Sequence, residues 1–133
     1  MKESCICGSK KPSNECCNLY LSGEQIPKTP EQLMRSRYSA YALGGFGEYL
    51  LETWFPATAQ GLSVAELSDP KVDWEKLEVL SKSQRGDEGC VEFKAYFRNR
   101  SEEQGQQGLQ IMHEMSEFRR IGGRWYYVGG RVS

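Results

Sequence analysis

The sequence lacks several features that mark common functional classes. It has one histidine among 133 residues, and its formal net charge is −1. A small protein that binds nucleic acid through the phosphates carries a surplus of positive charge, which this composition does not provide. No apolar run approaches the roughly 18 residues that a membrane-spanning helix requires. The composition therefore argues against a nucleic-acid partner and against a membrane protein.

The amino terminus also lacks the apolar stretch of a secretory signal, since residues 1–4 are polar apart from Met1 and lead directly into cysteine. We therefore expect a cytoplasmic protein, in which reducing conditions disfavour stable disulfides. The length suits one domain with a small appendage. A hydrophobic content of 38% with 11% aromatic residues can supply a core.

Four of the five cysteines lie within the first seventeen residues, as the pairs Cys5/Cys7 and Cys16/Cys17. Structural zinc takes four ligands in a tetrahedron, and two short pairs supply them with little chain to order. Two disulfides, free buried thiols and an iron–sulfur cluster are the alternatives. The missing export signal counts against disulfides, the polar surroundings count against buried thiols, and the tight spacing counts against an iron–sulfur cluster. Cys90 stands alone in an apolar strand pattern and is predicted to be a core residue.

The cysteine segment resembles the SEC-C motif, a short zinc-binding segment known from the preprotein translocase ATPase. Residues 5–9 read C-x-C-G-S, and a loop then leads to the second cysteine pair. The resemblance covers about residues 3–20 and departs in the loop, where residues 12–15 replace a more basic stretch. It implies zinc bound by Cys5, Cys7, Cys16 and Cys17. Because the translocase segment contacts a chaperone, it also implies a protein partner.

Helical patterns occupy the first half of the remaining chain. Thr29, Pro30 and Gln32 form a capping box that begins a helix, and Gly44 ends it. Apolar residues recur on one face of this helix at a period close to 3.6. We also predict a helix over residues 48–55 and a short one over residues 63–68.

From residue 74 the hydrophobic period changes to two, which is typical of strands. We predict strands over residues 74–82, 90–98, 109–121 and 124–129, with a long loop over residues 99–108. A two-residue turn at Gly122-Gly123 predicts three cross-strand pairs. Helices followed by an antiparallel meander predict an α+β fold in which a curved sheet wraps around the helices. The three cross-strand pairs predicted around the Gly122-Gly123 turn are Phe118 with Tyr127, Arg120 with Trp125, and Glu117 with Val128.

Residues 33–41, 49–54, 113–118 and 125–127 resemble the YchJ family of small bacterial proteins that carry a SEC-C segment. The resemblance implies a cone of curved sheet and helices of the nuclear-transport-factor-2-like (NTF2-like), or cystatin-like, type over residues 28–133. A SEC-C-like zinc-binding segment over residues 1–22 precedes it. Cones of this type often enclose a pocket. We expect its lining to include Arg35, Tyr38, Tyr41, Trp54 and His113.

His113 is the one candidate acid or base for catalysis, as in a small isomerase or hydratase. A hydrogen-bonded histidine in a sheet is the alternative. Neighbouring strand residues face opposite sides, so only one of His113 and Glu114 lines the pocket. Arg35 can bind an anion in the pocket, whereas Arg37 is expected to form a structural ion pair or to face solvent.

A complete metal site beside an incomplete catalytic one favours a non-enzymatic zinc protein. Its SEC-C segment would recruit a protein partner, and its cone-shaped domain would carry the segment. The alternative is a small cone-fold enzyme or ligand-binding protein that uses the pocket around His113. Exposed apolar bulk on the outer face of the sheet would indicate a homodimer.

Overall fold

The computed structural model describes residues 4–69, 72–99 and 108–132 and has helices first, then a sheet. The α+β prediction is therefore confirmed. Most of the predicted loop over residues 99–108 lies outside the described residues. None of the described helices has the length and hydropathy to span a membrane. The helices are α1 (Cys17–Leu21), α2 (Pro30–Leu43), α3 (Gly47–Glu52) and α4 (Val64–Ser68), with 3-10 turns at Ser13–Glu15 and Pro56–Thr58. The strands are β1 (Val72–Arg85), β2 (Glu88–Asn99), β3 (Gln110–Ile121) and β4 (Arg124–Val132).

Helix α2 begins at the predicted capping residues. The Thr29 hydroxyl accepts a 3.1 Å hydrogen bond from the backbone N–H of Gln32, and Pro30 occupies the first helical position. The Gln32 side chain accepts a 2.7 Å bond from the N–H of Lys28, one residue before the expected donor. The helix ends at Gly44, whose φ of 75° suits glycine. Local sequence therefore fixes both ends of the longest helix.

The four strands form one antiparallel sheet in the order β1-β2-β3-β4. The pairing of β1 with β2 shifts register between Trp74 and Lys76 and again between Val79 and Ser81. Such bulges bend a strand and increase its twist. The bent sheet meets α2 through β1, β2 and β4, so this helix lies against the concave face.

The last hairpin confirms two of the three predicted cross-strand pairs. Phe118 pairs with Tyr127 and Arg120 pairs with Trp125. The third prediction was wrong, because Glu117 pairs with Gly129 rather than with Val128. A register shift between Glu117 and Phe118 gives β4 one extra residue at this point.

The cysteine segment is part of the main core rather than a polar tail. Cys5, Cys7 and Cys17 are 5%, 0% and 2% exposed. They belong to the same buried cluster as the sheet's inner face. Cys90 is only half-buried, because Val91 takes the inward position beside it. The cysteines share this cluster with Leu33, Met34, Tyr38, Leu77, Val91, Phe93, Ala95, Phe118 and Trp125.

Candidate metal centre and cavity

The structure brings the four amino-terminal cysteines together. Their sulfur atoms all lie within 4.8 Å of one another, and the sulfurs of Cys7 and Cys16 are 3.6 Å apart. A tetrahedral zinc with Zn–S bonds of about 2.3 Å holds its sulfurs about 3.8 Å apart. The cluster therefore matches a four-thiolate metal site to within about 1 Å.

The chain folds tightly around this cluster. The N–H of Gly8 donates a 3.1 Å bond to the carbonyl of Cys5, and the N–H of Cys5 donates a 2.7 Å bond to the carbonyl of Lys11. Gly8 has a φ of +83°, and a Cβ there would stand 3.1 Å from the carbonyl oxygen of Leu77 on β1. Glycine thus allows both the turn and the close approach to the sheet.

The thiols differ in their tendency to ionise. A hydrogen bond with the Cys17 thiol lowers the pKa of Cys7 to about 4 despite burial. The same bond, together with burial, raises the pKa of Cys17. Burial is also the main cause that raises the pKa of Cys16, whose sulfur lies 3.1 Å from the Ser9 hydroxyl. The hydrogen bond from Cys17 thus favours ionisation of Cys7, and the thiolate is the form that binds metals.

Arg35 on α2 stabilises the cysteine segment. Its Nη1 atom donates a 2.6 Å hydrogen bond to the carbonyl oxygen of Cys7. Its Nε atom donates a 3.0 Å bond to Glu31, one turn earlier on the helix. One turn later, the Ser39 hydroxyl lies 3.9 Å from the Cys5 sulfur. One flank of α2 thus places a positive charge and a hydroxyl beside the cysteines.

A cavity of about 250 Å³ lies between α2, Trp54 just after α3, and the face of the sheet that packs against α2. Among its thirteen lining residues are Arg37, Glu114 and Ser116, while most of the rest are aromatic or apolar. A few polar groups in an apolar cavity are typical of small-molecule sites. The aromatic lining residues are Tyr38, Tyr41, Trp54, Trp74, Phe93, Phe118 and Tyr127.

Arg37 is buried in this cavity with 5% of its surface exposed. Its Nη1 atom donates 2.7 Å hydrogen bonds to the carbonyl of Leu50 and to the hydroxyl of Thr53. Its guanidinium carbon lies 4.7 Å from the ring centroid of Trp54 and 4.5 Å from that of Tyr127. Burial lowers the pKa of Arg37, although nearby phenols and Glu114 oppose the shift. The predicted ion pair or solvent-facing position for this arginine was wrong.

Glu114 brings the second charge into the cavity. Its Oε2 atom accepts a 3.1 Å bond from the Tyr127 hydroxyl and a 2.5 Å bond from the Ser116 hydroxyl. Burial and the Glu114 charge raise the pKa of Tyr127. Burial raises the pKa of Tyr38 to about 12. The phenols therefore stay protonated at neutral pH and can donate hydrogen bonds.

Three of the five predicted pocket residues, Tyr38, Tyr41 and Trp54, line the cavity. The other two require correction. His113 pairs with Lys94 across the sheet, and its Nε2 atom lies 2.7 Å from Glu92 on the face opposite to Glu114. Arg35 faces the cysteines instead of the cavity.

One signal in the sequence indicates that Glu114 faces the cavity. The Gly122-Gly123 turn predicts that Phe118 pairs with Tyr127, and Glu114 stands four positions before Phe118. Residues an even number apart on a strand share a face. Glu114 and Phe118 both line the cavity. No comparable signal marked Arg37, because helical arginines usually face water.

Comparisons with known proteins agree with this architecture. Residues 29–130 match a family model described as "YchJ, middle NTF2-like domain". A UPF0225 protein from Chromobacterium violaceum is 42% identical over 136 residues, which cover 99% of this chain and 95% of that protein. A UPF0225 protein from Vibrio parahaemolyticus is 41% identical over 136 residues, covering 98% of this chain and 75% of that protein.

Two solved structures are similar over nearly the whole chain. The solution structure of a SEC-C motif containing protein from Rhodopseudomonas palustris has a TM-score of 0.87 and 38% identity. That match covers 98% of this chain and 99% of the other. The crystal structure of a SEC-C motif containing protein from Psychrobacter arcticus has a TM-score of 0.80 and 30% identity, covering 98% of this chain and 83% of the other.

Proposed function

This chain belongs to the YchJ (UPF0225) family, and from that premise we propose that it is a zinc protein whose metal-bound amino-terminal segment recruits a protein partner. The observation that carries the proposal is the convergence of four cysteine sulfurs within 4.8 Å of one another. Soft thiolate ligands in a tetrahedral set suit zinc.

The role we assign to the metal is structural. Four protein ligands close a zinc site and leave no position for a substrate or a water. The regular structure between Cys5 and Cys17 is a single 3-10 turn, and a five-residue helix begins only at Cys17. Ordering such a segment costs conformational entropy, which metal binding offsets. The metal would thereby hold the segment against α2 and β1.

The surface proposed for the partner lies between the ligands. Ile6, between the first two cysteines, is 43% exposed. Lys10 and Lys11 are exposed in the loop that follows. An apolar side chain beside two positive charges suits a partner surface that is apolar and acidic. We define Ile6, Lys10 and Lys11 as the segment surface.

Metal analysis tests the zinc proposal. Protein purified under reducing conditions with zinc in the medium is expected to contain about one zinc ion per chain, bound by four thiolates. Cys16→Ser removes the least buried ligand and should lower the zinc content strongly. Cys90→Ser removes a cysteine outside the cluster and should keep the full content. Wild-type protein without zinc would refute the proposal, as would Cys16→Ser with unchanged zinc.

Partner recruitment needs a separate test. The zinc-loaded protein is immobilised and exposed to a bacterial extract, and captured proteins are quantified by mass spectrometry. A specific partner should be captured by wild type and by Cys90→Ser, and lost with Ile6→Asp, which keeps all four cysteines. Equal capture by wild type and Ile6→Asp would contradict a role for the segment surface.

A second candidate function is the binding of a small molecule in the cavity, with or without catalysis. The observation that favours it is the pair of charges, Arg37 and Glu114, inside an aromatic cavity of about 250 Å³. His113 lies on the other face of the sheet, so the enzyme alternative would have to use Glu114 as its base. Ligand binding requires only the cavity and its two charges.

A further inference from the structure

The cavity contains a buried positive charge that forms no direct ion pair among the described residues. Arg37 is 5% exposed. Among the described residues, no ion pair within 4.0 Å involves its guanidinium. A buried charge is costly unless an opposite charge and hydrogen bonds compensate it. Glu114 lines the same cavity and offsets part of this cost, and an anion bound directly to the guanidinium would add to that compensation.

Arg37 also keeps hydrogen-bond donors for a ligand. A guanidinium has five N–H donors. The two hydrogen bonds to Leu50 and Thr53 both use Nη1, and the Tyr41 hydroxyl also interacts with the guanidinium. No side-chain nitrogen in that part is both fully buried and without a partner. The donors on Nε and Nη2 that Tyr41 does not occupy are therefore accessible from the cavity.

We propose that the cavity binds a small planar aromatic carboxylate, with its carboxylate on Arg37 and its ring between the aromatic walls. This inference rests on the second candidate function, ligand binding in the cavity. Tyr38, Trp74 and Phe93 also line the cavity, while the ring contacts of Arg37 are with Trp54 and Tyr127. A volume of about 250 Å³ exceeds the cavity of about 150 Å³ that accepts benzene. It therefore suits a substituted single ring or two fused rings.

The Glu114 carboxylate should affect anion affinity in the opposite direction to Arg37. This carboxylate lines the same cavity and is held by the hydroxyls of Tyr127 and Ser116. A negative charge near the ligand weakens the binding of an anion. Neutralising Arg37 should weaken binding of the carboxylate, and neutralising Glu114 should strengthen it.

Three probes of similar size test the inference, namely 2-naphthoate, 2-naphthamide and 2-methoxynaphthalene. Affinities are measured by NMR titration, with the indole N–H signals of Trp54 and Trp74 as reporters. We expect 2-naphthoate to bind at least about tenfold more tightly than either neutral probe, because its hydrogen bonds to the guanidinium are charge-assisted. The two tryptophan signals should shift together.

Variants then identify the charges involved. Arg37→Met should weaken 2-naphthoate binding by about tenfold or more, whereas Arg85→Met, which removes an exposed charge at the end of β1, should leave it unchanged. Glu114→Gln should strengthen binding severalfold. Should Arg37→Met fail to fold, the probe ranking on wild type and the Glu114→Gln result still decide the inference.

The outcomes separate this inference from the proposals on which it rests. If a neutral probe binds as tightly as 2-naphthoate, the cavity is a ligand site but the assignment of a carboxylate ligand is wrong. If no probe shifts the tryptophan signals, ligand binding of this class is wrong as well. The zinc proposal depends on metal analysis and stands or falls separately.

Discussion

Arg35 and Arg37 lie two positions apart on α2 and serve two different sites. Arg35 donates a 2.6 Å hydrogen bond to the carbonyl of Cys7, while the guanidinium of Arg37 lies 4.5 Å from the Tyr127 ring centroid inside the cavity. Positions two apart on a helix are rotated by about 200° and do not share a face. One helix therefore contributes a charge to each site without bringing the two charges together.

Replacement of Arg35 should weaken metal binding without removing a ligand. Arg35→Met deletes the charge-assisted bond to Cys7. Loss of a hydrogen bond around a metal site typically lowers affinity by about 10- to 100-fold. Competition with a chromogenic chelator measures the effect. Arg85→Met is the matched control, and equal zinc affinities for both variants would contradict the assigned role of Arg35.

Gly8 should be sensitive to the addition of a single methyl group. Gly8→Ala places a Cβ at a φ of +83° and 3.1 Å from the Leu77 carbonyl, so we expect a loss of about 1–3 kcal/mol in unfolding free energy. Gly23→Ala is a matched control, because its φ is +86° with no atom within 4 Å of the added Cβ. Urea unfolding of both variants separates backbone strain from the contact with β1. Equal losses would show that this contact carries no cost.

Removal of zinc should destabilise the whole core. Because Cys5, Cys7 and Cys17 belong to the same buried cluster as the sheet, loss of the metal is expected to lower the unfolding midpoint. At free zinc a thousandfold above the dissociation constant, the stabilisation is about 4 kcal/mol. Thermal unfolding with and without a chelator measures this difference. If the wild-type protein unfolds at the same temperature with and without the chelator, zinc does not stabilise the fold.

The raised pKa of Tyr49 predicts that the protein loses stability at alkaline pH. Burial raises the pKa of Tyr49 to about 12, while an unfolded tyrosine has a pKa of about 10. Below pH 10 both states keep the proton, so the contribution is fully present. From about pH 10 to 12 the unfolded chain loses its proton first, and the free energy of unfolding falls.

Tyr49→Phe should therefore show a shallower alkaline decline than wild type. The variant also loses the 2.6 Å hydrogen bond between the Tyr49 and Ser36 hydroxyls, which lowers stability equally at every pH below 10. Urea unfolding between pH 7 and 11 distinguishes the two effects. A stability difference that stays constant up to pH 11 would argue against the raised pKa.

Much of the local structure could be predicted from the sequence because its determinants are close in the chain. Thr29 and Gln32 cap α2 within one turn, and Gly122-Gly123 fixes the pairing of Phe118 with Tyr127. The cysteine cluster is equally local, since its members span thirteen positions. The division into residues 1–22 and 28–133, the homodimer and the cytoplasmic location stay predictions. On the outer face, Ile111 is 55% exposed and Met115 is 39% exposed, which is compatible with a dimer.

The cavity could not be predicted in the same way, because its charges depend on tertiary packing. Arg37 is buried because the fold places Trp54, two residues after α3, and Tyr127 on β4 within 4.7 Å of its guanidinium carbon. Strand parity places Glu114 on the face of Phe118, but which face of the sheet meets the helices depends on how α2 packs against it. The polar surroundings predicted for the cysteines were wrong for the same reason, since α2 and β1 cover them.

Tyr38 belongs to the buried cluster that includes the cysteines and also lines the cavity. Its ring lies 6.0 Å from that of Trp74 on the opposite wall. A substitution that enlarges or reshapes the cavity through Tyr38 also changes the packing around the cysteines. A substitution at Tyr38 therefore affects the cysteine segment and the cavity together. We expect the two regions to coevolve across the family.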